Sequence, residues 1–466
     1  ARFSFLKEEF DSPMGYISVL ADFPADTFFR IYTASPTVNK SILKIAVPAI
    51  LSNVIVPLLG LVDLTIAGHI GDAVTIGAVS VGATMFSLTY WNFGFLRMGT
   101  SGLTAQAYGA RDRRQMSVML FRSVALALLL GIAIVALQSP IRWLLLAAIS
   151  PSEAVHTHAS QYFSIIIWGA PATLATMSLT GWFIGMQNST YPLAVSMVVN
   201  AVNIVCSLCF VFAMRLGFIG IPLGTLAAQW CGFILSAFFA ARMMRKETLG
   251  YAPRVEEMLR GLGRFFSVNR DIFLRSLCVM AVMLFFTATG ARSGNMTLAV
   301  NALFMQLYLL YSHFMDGFAY AGEALVGKYA GAADKHSLRR CVSHLFAWGW
   351  SLAAIFAFAY GVFNHEVMSL FSDKPEVVAF AAAYRWWIAL APIAGMAAFI
   401  WDGVFVGLTA TRQMLLSLAG ATAVYFTIYF LFPLADANDC LWTAFLAYLA
   451  VRGVILWLCF ARENRY

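Results

Sequence analysis

The segment Ala107-Tyr-Gly-Ala-Arg-Asp112 returns 222 residues later as Tyr329-Ala-Gly-Ala-Ala-Asp334, and Gly181-Trp-Phe-Ile-Gly185 returns at the same interval as Gly403-Val-Phe-Val-Gly407. Chance rarely keeps one register across two separated segments, so the chain reads as two copies of one unit. Each GxxxG places two glycines on one helix face, where a second helix can approach closely. Helix packing is therefore the role these glycines carry.

The surroundings of both copies are apolar. Of 466 residues, 61% are hydrophobic and 15% aromatic, while Lys and Arg number 31 and Asp and Glu 23. That charge content is about half of what a soluble domain carries, and a bilayer is the solvent in which outward faces are apolar too. Apolar runs separated by short polar breaks predict twelve spans, near 42–67, 74–106, 117–138, 158–184, 190–213, 217–241, 270–291, 296–326, 339–362, 377–406, 412–434 and 440–461. The expected fold is an all-α polytopic membrane protein of twelve transmembrane helices in two pseudo-symmetric six-helix lobes. The longest break divides the chain into an N-lobe (37–241), a linker (242–268) and a C-lobe (269–466), behind an extension over 1–36 that has no continuous apolar run and so is no secretory signal.

Basic residues orient the chain. One set of short loops and both ends hold 16 Lys and Arg, among them Arg111, Arg113, Arg114, Lys328, Lys335, Arg339 and Arg340, and the other set holds four: Arg142, Arg215, Arg292 and Lys374. The positive-inside rule puts the richer side, with both termini, in the cytoplasm of a cell (inner) membrane. Six spans separate the copies, so the repeat is parallel, about an axis along the membrane normal. Two such lobes with a cleft between them are the anatomy of a transporter working by alternating access, with its substrate site at the repeat interface.

Other classes find little support. The net charge of +8 marks cytoplasmic loops rather than a nucleic-acid partner. The seven cysteines lie mostly inside apolar runs and imply no disulfide framework. Cys206 and Cys209 form a CxxC inside a continuous apolar helix, which reads as packing. His156 and His158 are expected in an outer loop near Glu153, too thin a set for a metal site. Without a GxxxxGK[ST] loop or another catalytic constellation, neither enzymatic activity nor a cofactor is implied, and the energy must come from an ion gradient or from the substrate's own.

An ionisable residue inside a span costs about 2.5–3.5 kcal/mol on insertion scales and is a functional candidate by default. The candidates are Asp63, Arg97, Asp316, Glu323 and Asp402. Asp63 follows Pro57 in Pro57-Leu-Leu-Gly-Leu-Val-Asp63, where the proline is expected to kink the first helix. A lone carboxyl in an apolar site can bind and release a proton near neutral pH; the competing role is a structural, hydrogen-bonded Asp. Asp316 and Glu323, seven residues apart, share a helix face, and Arg97 aligns with Ala319 between them at the 222-residue shift. Facing counterparts would bring Arg97 to Asp316 or Glu323. The predicted inner gate is an ion pair between lobes, drawn from Arg97, Asp316, Glu323 and Asp402, with intralobe neutralisation as the rival. Asn200, Asn203 and Ser207 lie on one side of the fifth span and Thr225 on the sixth; binding and plain interhelical hydrogen bonding both suit them.

Four motifs in order, Pro57 to His69, Phe95-Leu-Arg-Met-Gly-Thr-Ser-Gly-Leu-Thr-Ala-Gln106, Asp316-Gly-Phe-Ala-Tyr-Ala-Gly-Glu323 and Asp402-Gly-Val-Phe-Val-Gly407, resemble the multidrug and toxic compound extrusion (MATE) family, specifically its DNA-damage-inducible protein F branch. The resemblance runs from about residue 40 to the C-terminus. It implies a V-shaped, monomeric antiporter that exports cationic or amphipathic drugs against an inward flow of protons or sodium, among membrane lipids and without a cofactor. The family's coupling-ion cluster, an Asp, an Asn, a second Asp and a Thr, falls on Asp63, Asn203, Ser207 and Thr225. Ser207 departs from the pattern, and one carboxylate fewer favours protons over sodium. A lipid or lipid-linked saccharide flippase of the same superfamily is the alternative, for which Arg97 argues.

Overall fold

A computed structural model describes residues 36–247, 253–371, 373–431 and 436–462. The expected extension over 1–36 lies outside these residues, save that Pro36 opens the first helix. Among the described residues, twelve helices are long and apolar enough to cross a membrane: α1 (Thr37–Ile70), α2 (Ala73–Gly109), α3 (Arg113–Ala136), α4 (Glu153–Gly185), α5 (Thr190–Ala213), α6 (Gly217–Lys246), α7 (Leu262–Arg292), α8 (Asn295–Gly331), α9 (Lys335–Val362), α10 (Pro375–Gly407), α11 (Thr411–Leu431) and α12 (Ala437–Arg462). Large apolar side chains such as Leu129, Ile234, Phe358 and Phe430 point outward, as a lipid-facing surface requires. The molecule is a multi-pass membrane protein.

Several helices outrun the apolar stretches that predicted them, because helical hydrogen bonding continues into turns too polar to read as membrane. Thus α7 starts at Leu262 and α4 at Glu153, so His156 and His158 lie on a helix and not in a loop. Short helices over Gln138–Ile149 and Val255–Leu259 fill two of the breaks. Pro48 and Pro57 both lie inside α1, which runs through them without interruption.

Helices α1–α6 pack mainly among themselves, as do α7–α12, and the two lobes meet where α8 lies against α1 and α2. The 222-residue register is visible atom by atom. Gly181 abuts the carbonyl of Arg97, and Gly403 that of Ala319; Gly185 abuts the carbonyl of Ser101, and Gly407 that of Glu323. Asp112 and Asp334 cap α3 and α9, accepting from the amides of Gln115 and Ser337 at 2.9 and 3.0 Å. Arg111 and Ala333 precede them with φ of 57° and 56°, a left-handed turn that reverses the chain between long helices.

The repeat also joins the lobes. Gly109 abuts the carbonyl of Lys328, and Gly331 abuts that of Gln106, so each lobe presents a bare backbone to the other at matching positions. Around this crossing Gln106 Nε2 donates to the carbonyl of Gly407 (3.0 Å) and Gln187 Nε2 to that of Ala324 (2.7 Å). Nearby, His344 Nδ1 stands 2.8 Å from Asn39 Oδ1. These contacts lie at the basic end of the molecule, the end that carries Arg111, Arg113, Lys335 and Arg339.

Candidate functional site

Asp63 on α1 is 2% exposed, so its carboxylate must find partners inside the N-lobe. Three neighbouring helices supply them. Thr225 Oγ1 on α6 donates to Oδ2 at 3.0 Å, Tyr162 Oη on α4 approaches the same oxygen at 3.3 Å, and Asn203 Nδ2 on α5 reaches Oδ1 at 3.4 Å. Asn203 Nδ2 also donates to Thr225 Oγ1 at 2.9 Å, which ties the set into one network. No Lys, Arg or His pairs with Asp63 among the described residues.

Other residues of the expected cluster stand apart from this network. Ser207, one turn beyond Asn203, is buried against the close approach of Gly224, and its hydroxyl has no hydrogen-bond partner among the described residues. Asn200 donates to the carbonyl of Ser196 at 2.9 Å, within its own helix. Pro57 is exposed, six residues before the carboxylate. Tyr162 escaped the sequence reading because a tyrosine inside a membrane helix reads as an ordinary apolar body.

The second group lies between the lobes. Arg97 Nη1 and Nη2 on α2 donate to Glu323 Oε2 and Oε1 on α8 at 2.9 and 3.2 Å, a two-pronged pair across the interface. The guanidinium carbon also lies 4.0 Å from the centre of the Tyr320 ring. Arg97 thus meets Glu323, not Asp316. Asp402 does not belong with this pair: on α10 its Oδ2 accepts from both Arg275 of α7 and Arg452 of α12, all within the C-lobe. Both arginines lie inside the predicted apolar runs, so the signal that flagged Arg97 was present for them as well.

Arg122 is a further interior arginine that sequence reasoning passed over. From α3 it donates to the carbonyls of Met258 (2.9 Å), Glu257 (3.1 Å) and Arg260 (2.5 Å), closing the end of the short helix in the segment that joins the lobes. Arg114 pairs with Glu257 beside it. Arg264 then bridges Gln106 and Thr409, at 2.9 Å from each.

Two six-helix lobes related by a parallel repeat, with a buried acid in one and an ion pair joining the two, have the architecture of a secondary transporter. A family model described as MatE matches residues 48–209 and 272–431, and the chain belongs to this family. It is 33% identical over 428 residues to DNA damage-inducible protein F of Escherichia coli (strain K12), covering 92% of this chain and 93% of that protein. It is 22% identical over 357 residues to the probable multidrug resistance protein NorM of Thermotoga maritima, 74% of each. The crystal structure of the Vibrio cholerae MATE transporter VcmN in its bent form shares the fold, with a TM-score of 0.81 at 17% identity over 93% of this chain and 98% of that one.

Proposed function

We propose that the protein is a secondary active antiporter that exports cationic or amphipathic compounds in exchange for protons, with Asp63 as the coupling carboxylate. The observation that carries this reading is the Asp63 network: one buried carboxylate held by neutral donors from three helices, with no basic side chain paired to it among the described residues. Such a group is charge-complementary to an incoming proton or cation. A proton suits it better than sodium, because sodium wants several charged or carbonyl oxygens and Ser207 stands where a second carboxylate would be.

The network offers a way to accept that proton without orphaning a polar group. Thr225 Oγ1 lies 3.3 Å from the carbonyl of Ile221, so its hydroxyl hydrogen can turn there when Asp63 becomes the donor. The amide oxygen of Asn203, buried with no partner among the described residues, is a second acceptor. Protonation then changes how α1, α5 and α6 are held together. On this reading it bends α1 near Pro57, narrows the N-lobe cavity and expels the cargo.

Arg97 and Glu323 form the inner gate when the cleft faces outward. By the positive-inside rule their end, with both termini, is cytoplasmic, in a cell (inner) membrane. The protein acts as a monomer. The argument that Arg97 lent to the flippase alternative falls away, since Arg97 is committed to Glu323. The decisive experiment measures drug accumulation in everted vesicles with and without a proton gradient, comparing wild type with Asp63→Asn. Gradient-driven accumulation should vanish in the variant; efflux that survives unaltered would overturn the coupling assignment.

A further inference from the structure

We infer that Asp316 sets the charge preference of the cleft, by cancelling a surplus guanidinium in the C-lobe wall and thereby excluding anionic cargo. The argument starts from a charge count. Arg97 is matched one-to-one by Glu323. Arg275 and Arg452, in contrast, share the single carboxylate of Asp402, which leaves this trio with one positive charge over. All three of its members are largely buried, with side chains at most 11% exposed, and an arginine does not shed its proton there.

The shortage shows in the hydrogen bonding. The Nε atoms of Arg275 and Arg452 and the Oδ1 atom of Asp402 are buried with no partner among the described residues, and so is the hydroxyl of Tyr448. The trio nevertheless borders the other lobe: Arg275 Nη1 lies 3.9 Å from Met98 Sδ on α2. Surplus charge at such a place is costly in a bilayer unless a counter-charge stands near.

Asp316 is that counter-charge. It lies close to the middle of α8, two turns from Glu323 and one turn from Tyr320, whose ring supports Arg97. Arg97, Arg275 and Arg452 are all close enough to attract it, Arg97 most strongly, and Glu323 is close enough to repel it. Among the described residues Asp316 makes no direct hydrogen bond or ion pair, and it is half-buried where the other acids of the group are buried. Its carboxylate is therefore the acid of the group with no partner of its own, on the helix that lies against α1 and α2 of the other lobe. With Asp316 ionised the C-lobe wall is neutral and the acid of the N-lobe decides which cargo enters. Without it the wall carries a net positive charge and attracts anions.

This inference rests on the cleft being the cargo path, and its test does not require that cations are exported. Tetraphenylphosphonium and tetraphenylborate have nearly the same shape and opposite charge, and their binding to purified protein is measured by dialysis against protein-free micelles. Asp316→Asn should shift the borate-to-phosphonium preference by on the order of tenfold or more, and Asp316→Glu should keep the wild-type preference. An unchanged preference in an Asp316→Asn protein that melts like wild type overturns the inference, and so does an Asp316→Glu protein that shifts as far as the Asn variant. If the Asn variant is not recovered folded, Asp316→Ser gives the same reading. Wild-type protein that ignores the phosphonium would count against cation export, while a gain of borate binding in the variant would still stand for Asp316.

Discussion

The guanidinium of Arg97 and the carboxylate of Glu323 meet through two hydrogen bonds, at 2.9 and 3.2 Å, although one residue belongs to each lobe. Separating the lobes at this end breaks both at once. Removing one partner of a buried pair costs about 3 kcal/mol, so Glu323→Gln should lower transport and favour the state open at the basic end. A cysteine at Ala324, whose carbonyl accepts from Gln187 across the interface, should then be labelled faster from that side. Equal labelling rates in the two backgrounds would sink the gate.

The Asp63 network predicts an order of effects. Thr225→Val removes a donor to the carboxylate and the acceptor of Asn203; Tyr162→Phe removes a single longer contact. Lost buried hydrogen bonds cost roughly 1–3 kcal/mol each. Thermal melting in detergent and efflux in everted vesicles should both fall further in the Thr225 variant. The reverse order would mean that Tyr162, not Thr225, is the main anchor of Asp63.

Arg122→Ala should free the segment between the lobes. Three backbone carbonyls lose a charged donor, at about 1.5–3 kcal/mol for each hydrogen bond to a charged group before any relaxation. Trypsin should then cut at Arg254 or Arg260 at least several-fold faster. Arg114→Ala, which removes the more exposed ion pair with Glu257, should change the cutting rate little, because exposed pairs contribute about 0–1 kcal/mol.

A methyl group at Gly109 would collide with the carbonyl of Lys328, and one at Gly331 with the carbonyl of Gln106. Gly109→Ala and Gly331→Ala should therefore push the lobes apart at the basic end and lower transport to similar extents. Gly60→Ala is the control: none of the described side chains lies within 4 Å of its Cβ position, and in a helix alanine is better than glycine by about 1 kcal/mol. A distance between spin labels on the two lobes reads all three, and a change in the control alone would contradict the packing argument.

The twelve spans and the repeat were legible because apolar runs and glycine spacing are local properties of the chain. The alignment of Arg97 between Asp316 and Glu323 was legible for the same reason, since a constant shift carries position from one copy to the other. Pairing is different. Asp402 could not be assigned to Arg275 and Arg452 from spacing, because the three sit on separate helices whose rotation is set by packing. Ser207 and Asn200 failed to join Asp63 for a related cause: residues on one side of a helix can still be a turn too far along it. Arg122 was passed over because its partners are main-chain carbonyls, which no side-chain pattern announces.

The glycine contacts that repeat at 222 residues show how closely the two lobes copy each other in backbone. The charged residues buried inside their spans do not copy each other. The position matching Asp63 is Phe285, set among Tyr425, Phe426, Tyr429 and Phe430. The positions matching Glu323, Arg275, Asp402 and Arg452 are Ser101, Asn53, Thr180 and Trp230. A symmetric scaffold left to itself gives neither lobe a buried acid that the other lacks. If Asp63 is the coupling acid, the asymmetry rests on a handful of side chains, and exchanging Asp63 and Phe285 between the copies, with their neighbours, should move the ion site to the other lobe while the glycine contacts of the backbone stay as they are.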